Sequence, residues 1–296
     1  MPIRIDLNTG CSCKCTGGHE FHFVNGIIDL MSNTKDCGIL LEEQRYWNNV
    51  AESGWVKLLP NAFMDRKIRE DRIATFKQAI RNQWSDYRTK EVFIGEIGCG
   101  SGSAFTYLDQ VEFLNVSYVG IDISLKMLQL ASGKSRSWKT QFVRASAEKS
   151  IFAENSLDIV FSVSVLSYFQ LNTVVKWISE ALKPGGLFIL DEPSARNLFA
   201  RIGRKYIKNR SPFFYTNNTR ILPDQVREIA SRYKLKLVYE KGLHFLVSPL
   251  YYFLGIYNIP NRVSVPLYYI ARSIDYFVTS PSWNYSFIHV YQKESN

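Results

Sequence analysis

The stretch that most constrains the fold lies at residues 92–102, where an apolar run is followed by glycines at alternate positions, Gly98, Gly100 and Gly102. The apolar run has the composition of a short buried strand. Glycine tolerates positive φ and lets another molecule lie directly against the backbone. Because the polar stretch 103–112 is typical of a following helix, the pattern predicts a strand, a tight loop and a helix. The loop is then the floor of a small-molecule site.

Two carboxylates suggest which molecule binds there. Glu96 directly precedes the loop, where it would repel a pyrophosphate and attract an ammonium. The glycines do not fit the dinucleotide fingerprint Gly-x-Gly-x-x-Gly, since Ser103 stands where its last glycine would fall. A second apolar run ends at Asp122, at the spacing where an acid binds the hydroxyls of a ribose. S-adenosylmethionine (SAM) has an ammonium and a ribose but no phosphate, and therefore fits both acids.

Four blocks of sequence resemble the class I SAM-dependent methyltransferases, in particular their broad small-molecule branch, the type 11-like methyltransferases. The blocks are Glu96-Ile-Gly-Cys-Gly-Ser-Gly102, Gly120-Ile-Asp-Ile-Ser124, Ala147-Glu148 followed by Phe152–Phe161, and Glu180–Leu190. They occur in that family's order and cover roughly residues 90–192. The resemblance implies an α/β fold with a Rossmann-like, mostly parallel sheet of seven strands, the last antiparallel, and helices on both faces.

The alternation of apolar runs and helical patterns agrees with such a doubly wound sheet. Strands are predicted at about 92–97, 117–121, 140–144, 157–162, 186–191, 235–241 and 286–292. Helices are predicted near 103–112, 124–134, 171–182 and 222–233, with two or three more between 40 and 84. Right-handed crossovers then place the ligand crevice at the carboxyl ends of the strands.

The chain divides into a leader, a helical segment and the SAM-binding domain. Residues 1–38 form a short β-rich leader that contains cysteines, and residues 39–90 form helices that cover the cofactor crevice. The methyltransferase domain spans 91–296 and contains two insertions, a basic one at 193–221 and an aromatic one at 243–285. In this fold both insertions open onto the substrate side, so they are predicted to cap the substrate.

The resemblance assigns roles to the cofactor residues. The predicted set is Tyr46, Glu96, Gly98, Gly100, Gly102, Asp122, Ile123, Met127, Ser146, Ala147, Glu148 and Ser162. Glu96 holds the ammonium, the glycines the methionine part, and Asp122 the ribose, while Ile123 and Met127 cover the adenine face. Residues 146–148 reach the adenine edge, although Ser146 replaces the aspartate usual there; serine can still accept the same hydrogen bond. Tyr46 belongs to a Tyr-Trp element that lies over the cofactor in relatives, or else packs its helix onto the sheet.

The sequence points less clearly to catalytic and substrate residues. Methyl transfer mainly requires alignment of the acceptor with the methyl carbon, and a base only where the acceptor must lose a proton. Glu192 and His244 are the candidate catalytic residues, with a packed core histidine as the alternative for His244. The candidate substrate residues are Tyr168, Arg196, Arg201, Tyr251 and Tyr252.

Composition bears on partners and location. The formal net charge of +9 suggests an acidic partner, such as a phosphorylated substrate, an anionic membrane surface or nucleic acid, or simply a basic soluble protein. Since no signal peptide and no long uncharged apolar run is visible, we expect a cytoplasmic protein, with peripheral membrane contact as a further possibility. The cysteines at positions 11, 13, 15 and 37 lack the paired knuckles of a zinc ribbon, so reduced thiols are expected, with a metal site built from these cysteines as the less favoured alternative.

Taken together, the sequence favours a SAM-dependent methyltransferase acting on a small-molecule, lipid-linked or saccharide acceptor. Oxygen is the expected nucleophile. The Asn/Asp-Pro-Pro-Tyr/Phe motif of base-amine methylation and the Pro-Cys of cytosine methylation are both missing after the fourth core strand, which disfavours methylation of a nucleic-acid base. An RNA methyltransferase is one alternative, disfavoured because no RNA-binding module is recognisable. A non-catalytic binding protein with the same fold is the other.

Overall fold

The structure of the 296-residue chain is a computed structural model, and it describes most of the residues from 22 to 295. The described ranges are 22–31, 38–53, 62–83, 90–102, 105–108, 111–113, 115–134, 138–207, 221–256, 259–278 and 280–295. The candidate metal ligands Cys11, Cys13, Cys15 and Cys37 lie outside these ranges.

A single nine-stranded sheet forms the centre of the described structure, with the order β1-β2-β5-β4-β3-β6-β7-β9-β8. The strands are β1 His22–Val24, β2 Ile27–Asp29, β3 Glu91–Ile97, β4 Asn115–Asp122, β5 Lys139–Arg144, β6 Leu157–Val163, β7 Leu182–Pro193, β8 Leu235–Leu243 and β9 Ser286–Lys293. From β2 to β7 the neighbouring strands are parallel, and β9 runs antiparallel between β7 and β8. The predicted fold class is confirmed.

The strand count differs from the prediction, because seven core strands are joined by two from the leader. Asn25 and Gly26, both at positive φ, turn the chain between β1 and β2, as a tight hairpin requires. Strand β2 then pairs with β5 and extends the sheet by two strands. Each added strand has only three residues, and its partner lies far along the chain, so the local pattern did not identify the pairing.

Nine α-helices in the described residues pack on or beside this sheet. They are α1 Gly38–Glu52, α2 Ala62–Gln83, α3 Phe105–Leu108, α4 Leu125–Ser132, α5 Leu171–Ala181, α6 Leu198–Ile207, α7 Pro223–Arg232, α8 Val247–Ile256 and α9 Asn261–Phe277. Of the helix predicted at 103–112, the structure describes α3 at Phe105–Leu108, and the residues directly on either side of α3 lie outside the described ranges. Helix α6 belongs to the basic insertion, and α8 and α9 belong to the aromatic insertion.

Hydrophobic clusters cover both faces of the sheet, as buried parallel strands require. On one face α5 and α7 contribute Trp177, Ile178 and Val226, and on the other face α2 and α4 contribute Phe76 and Leu128. A third cluster joins α2 to α8 and α9 through side chains that include Met64, Val247 and Tyr268. The second insertion is therefore anchored to α2.

Strand register sets the crevice. Glu96 on β3 lies beside Gly120 on β4, and Asp122 at the end of β4 lies beside Arg144 at the end of β5. All of these residues stand at or near the carboxyl edge of the parallel strands, where ligands bind in open α/β sheets.

Candidate cofactor site

The glycine loop after β3 has the backbone that its sequence predicts. Gly98, Gly100 and Gly102 have φ values of +61°, +51° and +74°. A Cβ atom at Gly98 would lie 2.2 Å from Cγ2 of Val165, so this glycine is needed for packing within the protein. A Cβ atom at Gly100 would meet nothing within 4 Å. The backbone at Gly100 therefore faces open space that a ligand can approach.

The Asp122 carboxylate is fixed beside this loop by backbone donors. Its Oδ2 accepts a hydrogen bond from the Gly100 amide at 2.9 Å, and its Oδ1 accepts one from the Ser124 amide at 2.8 Å. Burial raises the pKa of Asp122 to about 6, although these backbone N–H groups act to lower it. The structure thus brings Asp122, the residue predicted to bind the ribose, into direct contact with the glycine loop.

Glu96 is buried next to the loop, with only 1% of its surface exposed. The Tyr118 hydroxyl donates to its Oε2 at 2.5 Å. Burial raises the pKa of Glu96 to about 8, the Tyr118 bond acts to lower it, and the nearby charge of Asp122 raises it further. A carboxyl group in this setting gains strongly from a cationic partner.

Tyr118 was not among the predicted site residues. It lies on β4 two residues before Gly120, and so on the same face of the sheet. A Cβ atom at Gly120 would come within 3.0 Å of the Tyr118 hydroxyl and 2.8 Å of Cys99 Sγ. Gly120 therefore provides the room in which Tyr118 reaches Glu96, and a tyrosine two positions before a strand glycine was the available signal.

Helix α1 lies against the turn that follows β4. Gln44 Nε2 donates to the Ile123 carbonyl at 3.3 Å, and the Ser124 hydroxyl donates to Asn48 Oδ1 at 2.7 Å. The Ser124 hydroxyl also accepts from the Met127 amide and caps α4. In this way α1 and α4 hold the backbone around Ile123 and Met127.

The Tyr46-Trp47 pair of α1 faces the segment after β6. The two rings are 5.2 Å apart in an edge-on arrangement, and Trp47 is 6.0 Å from the ring of Tyr168. Tyr168 belongs to a 3₁₀ turn at Leu166–Tyr168. Contacts from α1 therefore reach both the turn at residues 122–124 and the candidate substrate residue Tyr168.

The segment predicted to reach the adenine edge is an ordered turn. The Ser146 hydroxyl accepts from the Glu148 amide at 3.3 Å, and the Ala147 carbonyl accepts from Trp177 Nε1 at 2.9 Å. Glu148 is exposed. The pKa of Glu43 on α1 is raised mainly by the burial of Glu43 and in addition by the charge of Glu148. Residues 146–148 therefore lie on the same side of the crevice as α1.

Comparisons with known proteins agree with this geometry. Residues 95–190 match a family model described as a methyltransferase domain. The chain carries a class I SAM-dependent methyltransferase domain. The matched residues include both carboxylates, Glu96 and Asp122, and the glycine loop.

Curated relatives match only part of their own length. Phosphoethanolamine N-methyltransferase 1 of Triticum aestivum is 29% identical over 33% of this chain and 20% of its own length. Malonyl-[acyl-carrier protein] O-methyltransferase of Priestia megaterium is 28% identical over 37% of this chain and 39% of its own. Among solved structures, magnesium protoporphyrin IX methyltransferase of Synechocystis with bound S-adenosylhomocysteine covers 86% of this chain and 99% of its own, at 16% identity and a TM-score of 0.55. That last likeness supports the fold.

Beyond the cofactor residues of the methyltransferase domain, β7 directs two adjacent carboxylates to different partners. Glu192 is fully buried, and its Oε1 accepts from the amides of Val165 and Leu166 at 2.8 and 2.9 Å. Burial raises its pKa to about 8, those amides and the Ser162 hydroxyl act to lower it, and Asp191 raises it. The structure thus brings the predicted residues Ser162 and Glu192 together.

Asp191 faces α2, where Arg72 Nε lies 2.9 Å from its Oδ2. Burial acts to lower the pKa of Arg72, but the charge of Asp191 raises it above its usual value. Neither Arg72 nor Asp191 was predicted as a site residue, because the pair joins a helix before the domain to a strand far along the chain, and no local motif marks it.

His244 follows β8, the strand at the end of the sheet farthest from the leader, and its imidazole pairs with a carboxylate of α2. The imidazole is fully buried, and its Nε2 is 3.1 Å from Asp71 Oδ2 on α2. Asp71 also pairs with Arg272 at 2.8 Å. Because His244 follows β8, it stands about four strand spacings, roughly 19 Å, from β3, whereas Glu192 stands about two. Glu192 is therefore the nearer candidate to the glycine loop.

Apart from Tyr168, the predicted substrate residues fall into two groups. Tyr251 is 4% exposed, with its pKa raised by burial and by Asp65, and Tyr252 packs 5.7 Å from the ring of Tyr285. Arg196 Nη1 is 3.1 Å from Asp224 Oδ2 and 3.1 Å from Ser282 Oγ, and Arg201 is exposed on α6. The tyrosines pack between α8 and its neighbours, while the arginines lie on the outside of the cap.

Within the described ranges, no group of three His, Cys, Asp or Glu side chains is arranged to hold a metal ion. Cys99 is a buried free thiol below the glycine loop. In the same ranges, no helix combines the length and the apolar character needed to cross a bilayer.

Proposed function

We propose that the protein binds SAM and transfers its methyl group to a small-molecule, lipid-linked or saccharide acceptor. The observation that carries the proposal is the open backbone at Gly100 beside two carboxylates, the buried Glu96 and the partly buried Asp122. A buried carboxyl group beside open backbone space is suited to an amino-acid ammonium, because the ammonium stabilises the ionised form that burial disfavours.

In this proposal Glu96 holds the α-ammonium, Gly100 contacts the methionine part, and Asp122 accepts from the ribose hydroxyls. Both Asp122 oxygens already accept one backbone hydrogen bond, and each has a lone pair left for a hydroxyl. Ile123 and Met127 would cover the adenine face, and Ser146 its edge. When bound, SAM supplies an activated methyl group on a sulfonium.

The acceptor must then be aligned and kept from water. Glu192 is the carboxyl group that we propose beside the acceptor. With a pKa of about 8 it is mostly protonated at pH 7, so it accepts a proton from the acceptor only in its ionised fraction. Its bonds to Val165 and Leu166 also place the segment that carries Tyr168.

Oxygen is the nucleophile we propose. After β6 the chain reads Phe161-Ser-Val-Ser-Val-Leu-Ser-Tyr168, without the motif of amine methylation on bases, which argues against a base amine as the acceptor. One relative is named for N-methylation and another for O-methylation. The family likeness therefore leaves the atom to be decided by the acceptor pocket.

The surface of the cap supports a lipid-linked acceptor at an anionic membrane. Exposed apolar side chains lie on α6, α8 and α9: Leu198, Phe199, Ile202, Phe253, Val263, Tyr269, Ile270, Ile274, Tyr276 and Phe277. The one acidic residue in the sequence of these helices, Asp275, is 7% exposed. Apolar side chains with arginines and without exposed carboxylates suit an anionic lipid surface.

The first experiment is calorimetric titration of the purified chain with SAM and S-adenosylhomocysteine. A second step incubates the protein and SAM with cell extract separated into lipid, small-molecule and RNA fractions, and mass spectrometry searches each for a product heavier by CH₂. Binding of both ligands and a product in the lipid or small-molecule fraction are expected. Failure of both ligands to bind would favour the non-catalytic alternative, and a product in RNA would favour the RNA methyltransferase.

A further inference from the structure

One arginine connects the leader hairpin to the cofactor site. Arg144, the last residue of β5, lies in register with Asp29 of β2 on one side and with Asp122 of β4 on the other. Its Nη1 donates to Asp29 Oδ2 at 2.8 Å, and its Nε lies 3.3 Å from the carbonyl oxygen of Ile123, to which it donates. A side chain of the leader is therefore one residue away from the turn that carries Asp122.

Both members of this ion pair are shielded from water. The Asp29 side chain is 5% exposed and that of Arg144 is 17% exposed. The second oxygen of Asp29 accepts from the Met31 amide at 2.9 Å, so the carboxylate is held at both ends. A charge-assisted bond between partly buried groups is stronger and more directional than an exposed one.

The turn at residues 122–124 is where these contacts meet. The Ile123 carbonyl accepts from Arg144 and from Gln44 of α1, and the Ser124 amide donates to Asp122. A shift of the Ile123 peptide would move that amide and, with it, the Asp122 carboxylate that it orients. The position of Arg144 therefore affects the orientation of Asp122, the proposed ribose-binding residue, although Arg144 does not contact the Asp122 carboxylate.

We propose that Asp29 is a positioning residue of the cofactor site, acting through Arg144 on the backbone of residues 122–124. The leader hairpin is then part of the SAM-binding machinery and not only a cover for the edge of the sheet. This inference rests on the proposed function, in which the turn at residues 122–124 binds SAM. It differs from a purely structural role, which the buried side chains of Ile27 and Ile28 fill regardless of Asp29.

The chain offers a matched control on the same strand as Arg144. Gln141 Nε2, also on β5, donates to the Gly26 carbonyl of the hairpin at 3.1 Å, without any bond to residues 122–124. Loss of this contact weakens the attachment of the hairpin but leaves the link to Ile123 intact. Gln141→Ala and Asp29→Asn therefore separate attachment from positioning.

The test measures the Kd of S-adenosylhomocysteine by calorimetry and the midpoint of thermal unfolding for the 296-residue chain and each variant. Asp29→Asn should weaken binding by about tenfold, within the usual range of coupling between linked sites. With an acceptor in hand, the KM for SAM should rise by a similar factor at nearly unchanged kcat. Gln141→Ala should leave the Kd within about twofold of wild type.

Arg144→Lys guards against a variant that fails to fold. Lysine can still pair with Asp29 and keep the hairpin docked, but it lacks the Nε–H that reaches the Ile123 carbonyl. It should therefore weaken S-adenosylhomocysteine binding while the thermal midpoint stays close to that of wild type. Equal affinities for wild type and both linking variants would overturn the inference, whatever their thermal midpoints. Absence of binding to the wild type would instead refute the proposed function.

Discussion

Glu96 combines deep burial with a position where a cation is expected, and the two together predict a proton release. In the free protein its pKa is about 8, above the usual value for a glutamate. A bound ammonium favours the ionised form and lowers that pKa. Between pH 7 and 8, binding of S-adenosylhomocysteine should therefore expel a fraction of a proton, and affinity should rise with pH by up to about tenfold per unit.

The proton release can be measured by calorimetry in buffers of different ionisation enthalpy at fixed pH. Glu96→Gln is the matched variant, because it keeps the shape and cannot titrate. The variant should bind more weakly and release no proton from this site. If the wild type showed neither a buffer-dependent enthalpy nor a pH-dependent affinity, Glu96 would not be the ammonium ligand.

Gly98 and Gly100 have similar positive φ values but different surroundings, so alanine should affect them differently. At Gly98 the new methyl group would collide with Val165, and Gly98→Ala should destabilise the fold by several kcal/mol. At Gly100 the cost is the conformational strain alone, about 1–2 kcal/mol. The added methyl group points into the space where the cofactor is proposed to lie.

Gly100→Ala should therefore remain folded and yet bind S-adenosylhomocysteine at least about tenfold more weakly. Thermal unfolding and calorimetry on the two variants together check this. Normal binding by Gly100→Ala would show that the ligand does not approach the loop at this point.

At the scale of elements, Glu192 fixes the segment after β6 by accepting from two buried amides. Glu192→Ala leaves both amides without an acceptor and should cost about 2 kcal/mol or more. Glu192→Gln keeps an acceptor oxygen and should preserve the segment. The glutamine variant also removes the titration of the Glu192 carboxyl group. In the wild type the folded-state pKa of about 8 lies above the usual value. The contribution of Glu192 to stability is therefore complete below about pH 4.5 and is lost as pH rises through 8.

The stability of wild type relative to Glu192→Gln should consequently fall between about pH 4.5 and 8 and level off above that range. Urea unfolding at several pH values measures this difference. A constant difference across that range would mean that Glu192 is ionised in the folded protein at neutral pH. A separate role in catalysis would appear as a loss of kcat in Glu192→Gln at normal stability.

Residues marked by a local sequence pattern could be predicted, whereas contacts between distant parts of the chain were missed. Glu96, the three glycines and Asp122 are marked by a strand, a turn and their spacing, and the structure places them together. Tyr118 reaches Glu96 only through the pairing of β3 with β4. The bonds from Asp71 to His244 and from Arg72 to Asp191 depend on how α2 crosses the sheet, which no spacing in the sequence encodes.

At the scale of the whole molecule, the apolar surface of the cap and the net charge of +9 act together. Helix α9 has two apolar faces. One is buried against α2 and α8, and the other is an α9 stripe of Val263, Ile270, Ile274 and Phe277, which are 44%, 59%, 42% and 82% exposed. The members of the stripe follow helical spacing, so they present one continuous face.

An anionic membrane is the partner that this surface predicts. The protein should co-sediment with vesicles that contain phosphatidylglycerol, and binding should weaken as salt rises, because arginine attraction to lipid is screened. Vesicles of phosphatidylcholine alone should bind it weakly. Burial of one isoleucine contributes about 1.5–3 kcal/mol, so Ile270→Asp should reduce vesicle binding by about tenfold or more. Leu130→Asp is the matched control, since Leu130 is 47% exposed on α4, outside the cap.

The oligomeric state decides between this partner and a second copy of the chain, which could cover the same stripe. Light scattering should give a monomer for wild type and for Ile270→Asp in the absence of vesicles. A wild-type dimer that Ile270→Asp converts to a monomer, together with wild-type protein that stays in the supernatant with anionic vesicles, would make the stripe a self-association surface. A monomer whose vesicle binding responds to Ile270→Asp and not to Leu130→Asp would place the cap at the lipid surface, as a lipid-linked acceptor requires.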